Sequence, residues 1–330
     1  MNNMQHQAAG KMNKLGRMGE PFLFILDFDL RQPEIIPLKA VDPATIGYVI
    51  QGKSNVTDHI NPRKELLFKV RPVSKEKYCR IFRMVQRHIR NGDSFLLNLT
   101  MPAHIQTNYS LEEIFFISEA KYKLWVKKHF TVFSPETFVQ IKQGIIRSFP
   151  MKGTIDATLP EAEKRLLSDK KELAEHFTIV DLIRNDLSMV AEDVQVLRFR
   201  YFDRVKTHKG ELLQMSSEIA GKLPKDYQNH IGDILIKLLP AGSISGAPKK
   251  KTIEIIKKAE QYNRGYYTGI FGLFDGKELD SSVMIRFMEQ TEKGIIYKSG
   301  GGITANSRCE EEYRELIDKI YVPFIRNRQI

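Results

Sequence analysis

The stretch from 266 to 303, "YYTGIFGLFDGKELDSSVMIRFMEQTEKGIIYKSGGGI", constrains the fold more than any other. Short apolar runs are broken by an Asp-Gly pair at 275–276 and a Glu-Lys-Gly turn at 292–294. Such turns join neighbouring strands directly, and strands joined by a tight turn run antiparallel. The segment therefore reads as a meander, which a strictly alternating βαβ fold does not contain. Strand patterns recur at 21–28, 94–105, 130–149 (two strands around a turn), 194–205 and 212–223. Helical patterns lie between them. Residues 75–92 place Ile81, Val85 and Ile89 four apart and close on Asn-Gly; 159–191 reads as one or two helices; 230–241 is short; 243–262 is a loop feeding a helix with Pro248 in its first turn; 309–325 closes the chain. No repeat and no Pro/Gly/Ser-rich linker divides the sequence. The expectation is one large α+β domain of packed, mostly antiparallel sheets flanked by helices.

Composition bounds the function. An apolar content of 42% across 330 residues suffices for a sizeable core. No apolar run approaches a membrane span. Residues 1–20, basic and polar, lack the apolar centre of a signal peptide and read as a disordered tail, so the expectation is a cytoplasmic protein. Cys79 and Cys309 alone supply neither a disulfide framework nor a zinc or iron–sulfur site. The net charge of +11 suits an anionic small substrate or an acidic partner as well as nucleic acid, but the basic residues are dispersed and no zinc-finger, RNP-type or P-loop pattern occurs, so no nucleic-acid role is expected.

The chemistry-bearing stretches are short. In "FPMKGT" (149–154) a proline ends a strand, a glycine permits an unusual backbone angle, and Lys152 between them is either a surface charge or an amine whose pKa a pocket lowers. Glu172 with Glu175, and Glu312 with Glu315, form two Glu-x-x-Glu pairs on predicted helices. Each pair shares one helix face. Together they either form a hard-oxygen site for Mg²⁺ or are solvated faces beside Lys171 and Lys319. Gly300, Gly301 and Gly302 either turn the chain or let backbone amides converge on an anion. Ser243 caps a helix or donates to an oxygen ligand; Tyr267 is core or a hydroxyl donor; Arg286, in an apolar strand, needs a carboxylate partner. Glu136, in "FSPETF", is a cap or an acid/base carboxylate, and the sixteen-residue interval to Lys152 suits neighbouring strand ends across a hairpin.

The order of these motifs resembles the chorismate-utilising enzyme family, which includes the large components of anthranilate and aminodeoxychorismate synthases and the isochorismate and salicylate synthases. The resemblance runs from Phe95 to the last helix through "FLLNLT", "FSPETF", "FPMKGT", "KELAEH", "DLIRNDLSMV", "PAGSISGAPK", "RGYYTG", "VMIRF", "SGGGITANS" and "EEYRELIDK". It makes 94–330 the chorismate-binding catalytic region and 21–93 a short N-terminal part of the same fold. By this resemblance Glu175 and Glu315 ligate Mg²⁺ with Glu172 and Glu312 beside them. Tyr267, Arg286 and the Gly300 and Gly302 amides hold the enolpyruvyl carboxylate, Ser243 and Lys319 contact the ring carboxylate and its metal, and Glu136 is the general acid/base.

Lysine in "P-x-K-G-T" is typical of aminodeoxychorismate synthases, where anthranilate, isochorismate and salicylate synthases typically carry alanine. The resemblance thus implies a Lys152 nucleophile and a product feeding 4-aminobenzoate and folate. Neither Cys79 in "KYCRI" nor Cys309 in "SRCEE" resembles a glutaminase nucleophile, so the expected nitrogen source is a separate glutaminase subunit or free ammonia. The sequence departs from the family at Met215, where histidine is frequent, at Leu96, where glutamine is common, and in the shortness of the segment before Phe95.

Overall fold

The computed structural model describes residues 3–57, 65–168, 170–207 and 210–323. The side chains of a few residues inside strands and helices, Lys152 among them, lie outside this description. Two nine-stranded antiparallel sheets organise the chain. The first runs in the order Met151–Asp156, Gly210–Lys222, Ile145–Ser148, Thr137–Lys142, Leu279–Val283, Ile270–Phe274, Phe22–Leu26, Glu34–Pro37, with Glu192–Thr207 also on Gly210–Lys222. The second runs Gly246–Ala247, Leu96–Thr107, Gly294–Ile303, Phe287–Thr291, Phe130–Ser134, Tyr122–Val126, Ile46–Ile50, Lys53–Ser54, with Phe68–Arg71 also on Leu96–Thr107. Leu23, Ile25 and Phe271 of the first sheet share one buried cluster with Leu124, Phe130 and Phe287 of the second. Fully burying each phenylalanine contributes roughly 1.5–3 kcal/mol.

The meander is present, but it changes sheets. The chain leaves the first sheet after Val283 and enters the second at Phe287. The 130–149 segment does the same in the opposite direction. It forms three strands, not two: Phe130–Ser134 in the second sheet, then the hairpin Thr137–Lys142 and Ile145–Ser148 in the first. Pro135 in the Ser-Pro-Glu link cannot donate a ladder hydrogen bond, which favours a break there. Glu136 and Arg286 thus both sit where the chain crosses between sheets.

Helices Asn3–Arg17, Lys170–Ser188 and Ile231–Leu238 contribute to the core that includes Phe22, Ile141 and Ile219 of the first sheet. Helices Lys75–Arg90, Lys249–Glu260 and Cys309–Asp318 pack with Leu97, Leu99 and Ile303 of the second. No helix among the described residues is long and apolar enough to cross a membrane.

Two expectations are corrected. The N-terminal residues are not a disordered tail, because Asn3–Arg17 is a helix that buries Ala8, Ala9, Met12, Leu15 and Gly16. Its partner is the helix Ile231–Leu238, approached so closely that a Cβ on Gly232 would lie 2.3 Å from the Ala9 carbonyl oxygen and one on Gly16 2.2 Å from that of Gln228. Asn13 Oδ1 accepts from the Gly232 amide at 2.8 Å. Small residues at helical spacing build this contact, so a polar composition does not prevent it. The two cysteines, from which no disulfide framework was expected, form a single disulfide across 230 residues, Cys79 with Cys309.

Candidate active site

In "FPMKGT" the hairpin strand Ile145–Ser148 ends before Pro150, and a new strand starts at Met151. Its pairing with Gly210–Lys222 slips between Met151 and Thr154, a bulge that contains Lys152 and Gly153. Gly153 takes φ +79°, in the left-handed region that favours glycine. Bulges re-aim side chains and are frequent beside active sites. A Cβ on Gly153 would lie 3.1 Å from Glu172 Oε2, which puts the first glutamate pair's helix, Lys170–Ser188, against this bulge. Glu136 immediately precedes the first strand of one hairpin and Lys152 comes four residues after its second, both at the hairpin's open end.

Glu136 is held from several sides. Its amide donates to Ser134 Oγ at 3.1 Å, its carbonyl accepts from Ser282 Oγ at 2.7 Å, and its Oε1 accepts from Ser243 Oγ at 2.5 Å. The structure therefore joins two residues that the sequence analysis singled out separately. Ser243 sits in the single helical turn Gly242–Ser245, beside the helix of Glu172 and Glu175, and a Cβ on Gly242 would lie 2.9 Å from Asp186 Oδ2.

Arg286 and Tyr267 meet at the other sheet crossing. Arg286 has φ +55° and Thr268 φ +62°, conformations that non-glycine residues adopt at an energetic cost. Reciprocal backbone bonds, Thr268 N to Met284 O and Met284 N to Gly269 O, both 2.8 Å, lock the two segments together. The Nε–H of Arg286 is buried and has no hydrogen-bond partner among the described residues. A buried donor without a partner is costly, and an anionic ligand would remove that cost. Burial raises the pKa of Tyr267; the Arg264 and Arg286 charges pull it down, and Glu260 and Glu136 add to the rise. The phenol consequently stays a protonated donor.

The glycine run lies just beyond this point. The strand Phe287–Thr291 pairs with Gly294–Ile303 only as far as Phe287 opposite Lys298, while Leu96–Thr107 continues along the other edge to Ile303. Residues 299–303 thus have no strand on that edge, and alternate amides there can face a ligand. A Cβ on Gly300 would lie 2.4 Å from the Leu99 carbonyl oxygen, and one on Gly301 3.1 Å from Glu315 Oε1 and 3.6 Å from Glu312 Oε2. Lys319 Nζ closes the group, donating to the Gly300 carbonyl at 3.1 Å and to Glu315 Oε1 at 2.5 Å. Gly302 pairs with Asn98 in the same strand.

The four glutamates are hard-oxygen donors of the type Mg²⁺ takes. Glu312 and Glu175 are buried, and a buried carboxylate calls for a cation or hydrogen-bond donors. The donor chemistry fits magnesium. Among the described residues, however, no three His, Cys, Asp or Glu side chains gather as a metal group. Glu312 and Glu315 adjoin Gly301, and Glu172 adjoins Gly153.

Sequence reasoning missed several buried groups that tie these segments together. Arg264 is buried and donates to Glu260 through Nε (2.8 Å) and Nη2 (2.6 Å), to the Ile244 and Asn98 carbonyls at 3.0 and 2.7 Å, and to Thr268 Oγ1 at 3.2 Å. Glu260 also accepts from the Thr100 amide and hydroxyl, both at 2.8 Å. Asp186 and Lys249 pair at 2.8 Å and join "DLIRND" to "SGAPK"; burial raises the Asp186 carboxyl, and Lys249 draws it back down. His176, buried next to Glu175, shares a 2.6 Å hydrogen bond with Ser217, whose amide donates to the Pro150 carbonyl. The only sequence signal for the first of these is a Glu-x-x-x-Arg spacing at a helix end, which surface helices also show. Met215 is fully buried, and its Sδ accepts from Arg200 Nε at 3.2 Å. Leu96 is a core residue of the second sheet.

Comparison with known proteins covers most of the chain. Residues 40–324 match the family described as chorismate binding enzyme. A PabA-like protein of Haemophilus influenzae, uncharacterized by its own description, is 53% identical over 321 residues, 97% of each chain. Anthranilate synthase component 1 of Acetivibrio thermocellus is 32% identical over 78% of this chain, and aminodeoxychorismate synthase component 1 of Salmonella typhimurium 33% over 74%. The chain spans 54% and 56% of the length of those two proteins. The menaquinone-specific isochorismate synthase of Escherichia coli shares the fold, with a TM-score of 0.72 at 15% identity over 95% of this chain and 80% of that one. With residues 40–324 matched to that family's model, the chain belongs to the chorismate binding enzyme family.

Proposed function

We propose that this chain is the large component of an aminodeoxychorismate synthase, converting chorismate and ammonia to 4-amino-4-deoxychorismate. The observation that carries the reading is a lysine in the "P-M-K-G-T" strand, at a bulge beside the first glutamate pair. Similar identity to an anthranilate synthase component and to an aminodeoxychorismate synthase component leaves that lysine as the feature that separates the two reactions.

The Arg286 guanidinium and the Tyr267 hydroxyl bind the enolpyruvyl carboxylate, together with alternate amides of the Gly300–Gly302 run. Glu175 and Glu315, supported by Glu172 and Glu312, would hold Mg²⁺, which when bound neutralises the ring carboxylate. Ser243 and Lys319 orient that same carboxylate. The Lys152 amine adds at ring carbon 2 as the hydroxyl at carbon 4 leaves, taking a proton from Glu136 and departing as water. Ammonia then adds at carbon 4 and expels the lysine amine. Two substitutions with a tethered nucleophile replace one harder step.

Cys79 lies within the helix Lys75–Arg90 and Cys309 opens the helix Cys309–Asp318, and neither sits in a nucleophile-elbow turn. This supports a separate glutaminase subunit as the ammonia source. The reading is tested by incubating the chain with chorismate, Mg²⁺ and ammonium and separating the products. Aminodeoxychorismate from the wild type, and little from Lys152→Ala, is expected. Anthranilate with released pyruvate would replace this reading with the anthranilate synthase reaction.

A further inference from the structure

We infer that Cys79 and Cys309 are a reversible thiol–disulfide site that sets how firmly the Glu312–Glu315 helix is held; the link to metal rests on the reading of those two residues given above. Cys309 is the first residue of the helix Cys309–Asp318, three residues before Glu312 and six before Glu315. Cys79 lies on the helix Lys75–Arg90, and the two Cα atoms are 5.7 Å apart. That distance allows a disulfide without backbone movement.

The disulfide is the covalent tie at the start of the acidic helix. Arg308 at the N-cap makes no side-chain cap hydrogen bond, and two ion pairs of the first turn, Glu310 with Lys75 at 3.5 Å and Glu311 with Arg308 at 3.7 Å, are exposed. Other ties along the seam are non-covalent, among them the Tyr78 and Tyr313 rings at 5.4 Å, Tyr313 Oη donating to the Val73 carbonyl at 2.8 Å, Gln86 Nε2 donating to the Ser307 carbonyl at 2.7 Å, and Leu316 in a shared apolar cluster with Tyr78 and Phe82. Tyr78, adjacent to Cys79, feels the acid pair directly: burial first, then the Glu312 and Glu315 charges, raise its pKa. The cysteine-bearing turn thus lies within electrostatic reach of both carboxylates, and Glu315 in turn touches Lys319 and neighbours Gly301.

The chemistry is thiol–disulfide exchange with a small thiol or a dithiol as reductant. A reductant thiolate attacks one sulfur, the S–S bond breaks, and the other cysteine leaves as a thiolate. A second reductant thiol then displaces the first. The pair gains two electrons and two protons, and the reductant is oxidised to its own disulfide. Reduction leaves the start of the acidic helix held by the non-covalent contacts alone, so residues 309–318 open more often and hold Glu312 and Glu315 less firmly.

The test uses the full chain, oxidised with glutathione disulfide or reduced with dithiothreitol, beside Cys79→Ser and Cys309→Ser. Alkylation under denaturing conditions is read by intact mass, amide hydrogen exchange by peptide, and Mg²⁺ binding by calorimetry. The oxidised chain is expected to take up no alkyl group and the reduced chain two. Exchange across 309–318 should rise about tenfold on reduction and in both variants, with Mg²⁺ bound about threefold to tenfold more weakly. Two alkyl groups on the oxidised chain, or equal exchange in all forms, would overturn the inference. Faster exchange with unchanged Mg²⁺ affinity would overturn its coupling to the acid pair. Lys152-dependent product formation on the same samples reads the proposed reaction separately.

Discussion

Replacing Glu260 by glutamine probes the buried network that ties the site together. The Glu260 and Arg264 side chains are 1% and 2% exposed, so neither charge is screened by water. Glu260 Oε1 accepts from Arg264 Nη2 and from the Thr100 amide and hydroxyl, while Oε2 accepts, among the described residues, from Arg264 Nε alone. A glutamine with its carbonyl at the Oε1 position keeps three bonds, but its NH₂ then faces the Arg264 Nε–H, donor against donor. The guanidinium is left buried without a counter-charge. Removing one partner of a buried pair costs about 3–5 kcal/mol. Arg264 also holds the Ile244 carbonyl beside Ser243, Thr268 beside Tyr267, and the Asn98 carbonyl opposite Gly302. The loss should therefore reach the binding site as well, raising KM for chorismate. Urea unfolding of Glu260→Gln should show a lower midpoint at unchanged slope, equivalent to those 3–5 kcal/mol. A loss below about 1 kcal/mol, the scale of an exposed pair, would refute the reasoning.

Other perturbations have equally definite outcomes. Ser243→Ala removes the hydroxyl that donates to Glu136, and chorismate turnover should fall about tenfold with the fold intact; an unchanged rate would detach Glu136 from the chemistry. Gly232→Val forces atoms into the Ala9 backbone at a cost of about 1–3 kcal/mol, so trypsin should cut faster at Lys11, Lys14 and Arg17; unchanged cleavage would mean that the N-terminal helix is not docked there. Burial pushes the Lys123 amine from 10.5 down to about 8, although its Nζ donates to the Phe115 and Ser118 carbonyls. Between those two values the unfolded chain binds more protons, so the burial cost is fully present below about 8 and is relieved as pH rises toward 10.5. Relative to Lys123→Met, the wild type should gain stability over that window, by at most about 3 kcal/mol. A difference between the two midpoints that does not change with pH would contradict this.

What the sequence made legible was local. The helix at 75–90 follows from its four-residue spacing and Asn-Gly stop, the meander from its turn residues, and the family from motifs whose order is informative even where each is ambiguous. What stayed hidden depends on partners far along the chain. The N-terminal helix is stabilised by a glycine more than 200 residues away, and small residues leave a faint periodic signal. The cysteine pairing spans 230 residues and carries no local mark. Glu260 and Arg264 have the spacing of a solvated helix pair, and only the Thr100 strand and the Ile244 turn make them a buried anchor. The sheet change at Pro135 was visible only as a turn, because a turn within one sheet and a crossing between two use the same residues.

The covalent role of Lys152 is open to direct observation. The chain would be mixed with chorismate and Mg²⁺ without ammonia, quenched in acid and weighed intact, with peptide mapping of any adduct. The account predicts a mass gain of one chorismate less one water, located on Lys152 and absent from Lys152→Ala. An unmodified wild-type chain that nevertheless forms aminodeoxychorismate when ammonium is added would contradict it.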